Sequence, residues 1–266
     1  MDLATILGLV LALVIISFAM ILDGGSPAEL FAHPQAILLT VGGAMMASLV
    51  SVPLKTMLNL PKLFMLAFTG KEIDPVPAID ILTDMADQAR REGLLALEDQ
   101  AKSLEDAFLR KGVMLVVDGV DPAQVKAILH IEVENMKHRH AVGYGFFNAC
   151  GGYGPTMGIV GTVMGLISVL KKLDDPGALG ESIAAAFLAT LWGIMSANVF
   201  WLPIGGKLAF NSEKEAAYRE MLVEGILSLQ AGENPRMVRD KLMAYVAPSS
   251  RAEEVAQAGA TAGAEA

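Results

Sequence analysis

The sequence is short of the groups that carry out covalent or redox chemistry. One cysteine, Cys150, occurs in 266 residues, so neither a disulfide framework nor a cysteine-based metal site can form within the chain. As a lone thiol it reads as a small buried apolar residue. The four histidines, His33, His130, His138 and His140, make no credible metal set, because His138 and His140, two apart on a helix, fall on different faces. No Ser-His-Asp set, phosphate-cradling glycine loop or pair of catalytic carboxylates stands out, which argues against an enzyme. Basic residues are scarce too. Twenty Lys and Arg against 29 Asp and Glu leave a formal charge of −9, the wrong sign for a nucleic-acid binder.

Charge of either sign is missing from four long stretches, 3–22, 36–52, 146–170 and 183–206. The chain as a whole is 53% hydrophobic with a mean hydropathy of +0.48, beyond the range of an ordinary soluble domain. The first stretch has 20 residues, enough to cross a hydrocarbon core of about 30 Å. It does not read as a signal peptide: the start carries Asp2 and no Lys or Arg, and no small-x-small cleavage site follows. The turn Asp23-Gly24-Gly25-Ser26-Pro27 leads to the second stretch, which Pro34 and Pro53 bracket. These spacings predict two transmembrane hairpins, 1–53 and 146–206, the second turning at Lys171–Gly177.

Between the hairpins the texture changes. Residues 54–145 carry charge on most turns with a helical period in the apolar positions, the pattern of a helical domain. Ile79, Ile81, Leu82, Met85 and Ala89 form an amphipathic run that stops at Gly93, a second helix is expected over 94–109 with Gly112 ending it, and Asp121-Pro122 starts a third that runs to about His140. Residues 207–247 read as further polar helices, and 248–266, an Ala/Gly/Glu tail with nothing to bury, as disordered. Of the 20 Lys and Arg, 11 lie in 54–145, 7 in 207–266 and only Lys171 and Lys172 in the short loop. Lys55, Lys62, Lys137, Arg139, Lys207 and Lys214 flank the stretches on one side, so the helical domain and both termini are expected in the cytoplasm. The expected fold is an all-α integral membrane protein with four transmembrane helices and a helical cytoplasmic domain between the second and third.

The stretch from Gly151 to Leu170, GGYGPTMGIVGTVMGLISVL, combines six glycines, a proline and two threonines with no charge. Gly154, Gly158, Gly161 and Gly165 recur at three- and four-residue steps, a face along which another helix can lie close. That helix can belong to the same subunit or to a partner. Thr162 shares the face and Thr190 lies in the fourth stretch; such hydroxyls bond back to their own helix or line a polar track. Pro155 and Pro203 shape their helices or act as hinges by freeing backbone carbonyls. An ionisable group inside a span costs at least ~2.5–3.5 kcal/mol and marks ion paths. The four stretches contain no Asp, Glu, Lys, Arg or His, so the titrating carboxylate for any conducted ion is expected on a partner's helix.

Five motifs in this order and spacing, MDLATILGLV, ARREGLLALE, GPTMGIVGTVMGL, DDPGALG and NVFWLPIGGKL, resemble the motility protein A family of flagellar stator subunits, sodium-driven members included. The resemblance covers about residues 1–247. It implies a ring, understood as five copies, around two copies of motility protein B, whose membrane helix carries the ion-binding aspartate and whose periplasmic domain grips peptidoglycan. It implies that Thr162 and Thr190 line the ion path, that Pro155 and Pro203 couple conformation, and that Arg90 and Glu98, with Arg91 assisting, face the rotor switch protein FliG. The glycines are then expected to give the partner helix room. No cofactor is implied, only a transported ion, H+ or Na+; threonine at both path positions leans toward sodium, although proton-driven relatives carry hydroxyls there too. The alternative is an ExbB/TolQ-like energiser of an outer-membrane system, which has three spans and its large loop after the first. A metabolite transporter would show inverted repeats and a charged or broken-helix site, and neither is evident.

Overall fold

A computed structural model describes residues 2–70, 73–174, 176–246 and 248. All the regular secondary structure among these residues is helical, with no strand. The chain divides into two compact units, one of residues 1–71 and 138–211, the other of residues 72–137 and 212–266. The expected disordered tail, 248–266, lies outside the described residues except for Pro248, as does Asp175 of the expected turn.

In the first unit, α1 (Leu3–Leu22) has no buried residue, as an apolar helix does when lipid is its solvent. A 3-10 turn at Pro27–Phe31 follows, capped by Ser26 and Glu29 in a capping box. Next comes α2, Pro34–Leu49, which passes through a π turn at Leu38–Gly42. The Leu30 carbonyl oxygen accepts from the Trp192 indole N–H at 2.7 Å, and Phe31 packs edge-on against the same ring at 5.6 Å. After Pro53, α3 (Leu54–Thr69) contributes Ala67 to a cluster with Phe146, Phe147, Cys150, Ile204 and Leu208. Asp2 accepts from Thr5 Oγ1 at 2.8 Å and pairs with Lys207, while its backbone N–H donates to the Phe68 carbonyl. The Lys207 ammonium and the Thr5 hydroxyl hold the Asp2 carboxyl down to about 2.

In the second unit, α4 (Val76–Glu92) ends at Gly93, whose φ of +87° few side-chain-bearing residues adopt. A 3-10 turn (Leu94–Leu97), α5 (Glu98–Ser103) and α6 (Ala107–Val117) follow. The expectation of one helix over 94–109 ending at Gly112 is corrected here: the chain breaks at Leu104, and Asp106 starts α6 by accepting from the Phe108 and Leu109 N–H groups. Gly112 sits inside α6 as a packing position, since a Cβ there would meet Ile226 Cδ1 at 2.3 Å. Ile79, Leu82 and Met85, Val113 and Val116, Val125, Leu129 and Val133, and Leu222 and Ile226 recur at helical spacing and bury together. Tyr218 reaches Asp106 Oδ2 at 3.4 Å. Burial, and then the Asp106 charge, push the Tyr218 phenol up to about 12.

Three long helices and a short one follow among the described residues. α7 runs unbroken from Pro122 to Leu170, so the expected stop near His140 does not occur; the glycines at 143, 145, 151 and 152 are carried inside a helix. α8 (Pro176–Met195) continues through a π turn (Ser196–Trp201) into α9 (Leu202–Gln230), and α10 (Pro235–Met243) closes the described helices. The π turn ends just before Pro203, which has no N–H to give the carbonyl four residues earlier and crowds it, a local cause of wider winding. Among the described residues three helices are long and apolar enough to cross a membrane, Leu3–Leu22, Pro122–Leu170 and Leu179–Gln230. The shorter apolar α2 reaches about 24 Å at ~1.5 Å per residue.

Candidate functional site: a small-residue seam with two hydroxyls

Along the second half of α7, small residues at three- and four-residue steps remove the side chains that would hold a neighbouring helix away. The neighbour is α8. A Cβ on Gly158 would lie 3.1 Å from both the Ala189 oxygen and the Thr190 Cα, one on Gly161 would meet Ala189 Cβ at 2.6 Å, and one on Gly165 would meet Ala186 Cβ at 2.5 Å. Gly154 approaches the Gly193 oxygen in the same way at 3.0 Å. The four glycines expected to make room for a partner's helix therefore face α8 of the same chain, Gly161 with Leu39 of α2 as well. A three- and four-residue spacing specifies close approach, not the identity of the approaching helix.

Within this seam the Thr162 hydroxyl lies 3.0 Å from the Gly158 oxygen and 3.2 Å from the Ala186 oxygen, and it hydrogen-bonds Thr190 Oγ1. One hydroxyl has one proton and two lone pairs. Thr162 can therefore donate to one carbonyl while accepting from Thr190, and four oxygens from two helices converge on one point. Both threonines are half-buried. Thr162 bonds back to its own helix and across to the next.

Pro155 is half-buried next to Gly154 at the start of the seam, within the continuous α7, and Pro203 is exposed in the first turn of α9. Sequence reasoning missed the opposing face of the seam, Ala186, Ala189 and Gly193. The signal was present in the run AAAFLATLWG, where small residues recur at the spacing of one helix face.

The charged residues singled out in the second unit are all exposed. Arg91 pairs with Asp87 at 2.6 Å and Glu98 with Lys102 at 2.7 Å, each one helical turn away. The Lys102 ammonium holds the Glu98 carboxyl below its usual range, and Glu98 in turn raises Lys102. Arg90 has no ion-pair partner among the described residues. No group of three His, Cys, Asp or Glu side chains able to hold a metal occurs among the described residues.

These features define a class: an all-helical protein with membrane-type helices, a seam of small residues and hydroxyls, and uncharged apolar stretches. Similarity to known proteins places it more closely. The model of the MotA/TolQ/ExbB proton channel family matches residues 100–221. Motility protein A of Bacillus subtilis (strain 168) is 38% identical over 252 residues, covering 94% of this chain and 93% of that protein. A structure of C. jejuni MotAB superposes with a TM-score of 0.88 at 34% identity, covering 93% of this chain and 97% of that one. The flagellar MotAB stator complex of Bacillus subtilis gives a TM-score of 0.86 at 37% identity, again over 93% and 97%. The chain belongs to the motility protein A family.

Proposed function

We propose that the convergence of Thr162, Thr190 and the Gly158 and Ala186 carbonyls forms the polar wall of an ion path. The chain is a stator subunit of the bacterial flagellar motor. Its own uncharged stretches contain no Asp, Glu, Lys, Arg or His, so in this reading the carboxylate that takes up the ion belongs to the membrane helix of motility protein B. Hydroxyl and carbonyl oxygens suit Na+ directly and suit H+ through water. One ion falling through 100 mV releases about 2.3 kcal/mol, sufficient to bias a conformational step.

In this reading five copies surround two partner chains, and ion passage turns the ring against the partner. The chain crosses the inner membrane four times, with α2 as the second span, extended by the uncharged residues after Leu49. The basic flanks place both termini and the second unit in the cytoplasm. There Arg90 and Glu98, with Arg91, engage the rotor switch protein FliG through complementary charge. Pro155 stands at the start of the seam and Pro203 just after the π turn that joins α8 to α9, and in this reading they link ion passage to movement. The output is mechanical rather than enzymatic, and the ion is the only small species the protein needs.

The single observation that carries this reading is the four-oxygen cluster on an otherwise apolar seam. Its test is genetic. In a strain with this stator set alone, deletion should abolish swimming while filaments still assemble, and the pair Thr162→Val with Thr190→Val should abolish it at normal membrane levels. Swimming preserved in the double variant would overturn the path. Speed in sodium-free medium, with and without a protonophore, identifies the ion.

A further inference from the structure

In the second unit Leu95 keeps 75% of its surface exposed, more than any other large apolar side chain of that unit among the described residues. This exposure comes from an ordered turn. Gly93, with its φ of +87°, donates its N–H to Ala89 and accepts from Ala96 at 3.2 Å. Gln88 of α4 donates to the Ala96 oxygen and to Glu92. In the 3-10 turn that follows, side chains three apart eclipse one another. Leu94 and Leu97 take the inner column, Leu97 fully buried and Leu94 packed against the core. The outer column is therefore Leu95 and Glu98, which places an exposed leucine beside a charge assigned to the rotor contact.

We infer that Leu95 is the apolar anchor of that contact, with Arg90 and Glu98 as its charged rim. The inference rests on the rotor-facing role proposed above. Its occupant is a rotor helix that presents a large apolar side chain between an acidic group, opposite Arg90, and a basic one, opposite Glu98. Productive interfaces place an apolar residue at the centre and charge at the edge. Charge sets register and encounter rate, while apolar burial slows dissociation. Arg91 and Glu98 each already hold an intramolecular partner at 2.6 and 2.7 Å, which reduces their net attraction for a second. A contact that must hold under load therefore depends on Leu95 for residence and on Arg90 for orientation.

The test uses the complete stator complex in cells that have no other stator. Leu95→Ser should leave the complex assembled at normal membrane levels, lower torque at high load, and weaken binding of the purified complex to the rotor protein about tenfold at every salt concentration. Leu95→Met should restore both. Arg90→Glu should instead change the salt dependence of binding and recover with a reversed charge on the rotor, which Leu95→Ser should not. Full torque and affinity in Leu95→Ser, with Arg90→Glu impaired, would overturn this inference and leave the rotor contact standing. No effect of Leu95→Ser, Arg90→Glu or Glu98→Lys would overturn the rotor contact itself. Loss of the assembled ring in Leu95→Ser would also overturn the inference, by placing Leu95 against a second copy of this chain.

Discussion

At Gly193 a methyl group would lie 2.6 Å from the Gly154 oxygen and 3.0 Å from the Gly158 Cα. Both neighbours are backbone, so no rotamer change can relieve the contact, and two helices would have to move apart. Overpacking of this kind costs about 1–3 kcal/mol. A methyl added at Gly152, on the same helix as Gly154 but off the seam, would meet nothing within 4 Å. Gly193→Ala should therefore lower the thermal midpoint of the detergent-solubilised complex and weaken ion flux, whereas Gly152→Ala should leave the midpoint unchanged. Equal midpoints for the two variants would contradict the close approach of α7 and α8. The Thr162 network makes the same demand on geometry, because its cross-helix acceptor, the Ala186 oxygen at 3.2 Å, is in reach only while the backbones stay close.

At the scale of the element, α6 and α9 are joined through a tyrosine and a helix cap. Asp106 uses Oδ1 to cap α6 and presents Oδ2 to the Tyr218 hydroxyl. Burial and the neighbouring carboxylate favour the protonated phenol, so the folded value, about 12, exceeds the ordinary 10.0. A group whose folded value is raised contributes its full stability below the unfolded value and loses it as pH rises through the folded one. This contribution is therefore constant at neutral pH and disappears between about pH 10 and pH 12. Ultraviolet titration of the wild type and Tyr218→Phe should show one late-ionising tyrosine missing from the variant, and the variant's stability should fall less steeply over that interval. Late ionisation that persists in Tyr218→Phe would assign it to another tyrosine.

For the whole molecule the decisive feature is the absence of any Asp, Glu, Lys, Arg or His from the four apolar stretches. A protein that lines an ion path without owning its carboxylate should conduct nothing alone. Reconstituted by itself into liposomes, the chain should pass neither H+ nor Na+, and co-reconstitution with motility protein B should produce flux. Substituting Thr162 and Thr190 by valine should then reduce that flux about tenfold or more, as expected when oxygen ligands are replaced by methyl groups beside a dehydrating ion. Flux from the chain alone would show that its own groups suffice. On the reading proposed above, the second unit delivers the output through its exposed surface.

Sequence alone determined the all-helical class, the uncharged stretches, the start of α1 at Leu3, the stop at Gly93 and the start of α7 at Pro122, because composition, period and capping are local properties of the chain. It also showed that the glycines of α7 require a close neighbour. Only the tertiary structure decided that this neighbour is α8, that Gly112 packs inside a helix, that α7 runs past His140, and that Leu95 points outward while Leu94 and Leu97 point in. A glycine reads alike in sequence whether it ends a helix or admits a neighbour, and a leucine reads alike whether buried or presented. What separates the cases is the position of residues distant in the chain, Ile226 for Gly112 and Ala186 and Ala189 for the seam, and local pattern carries no record of them.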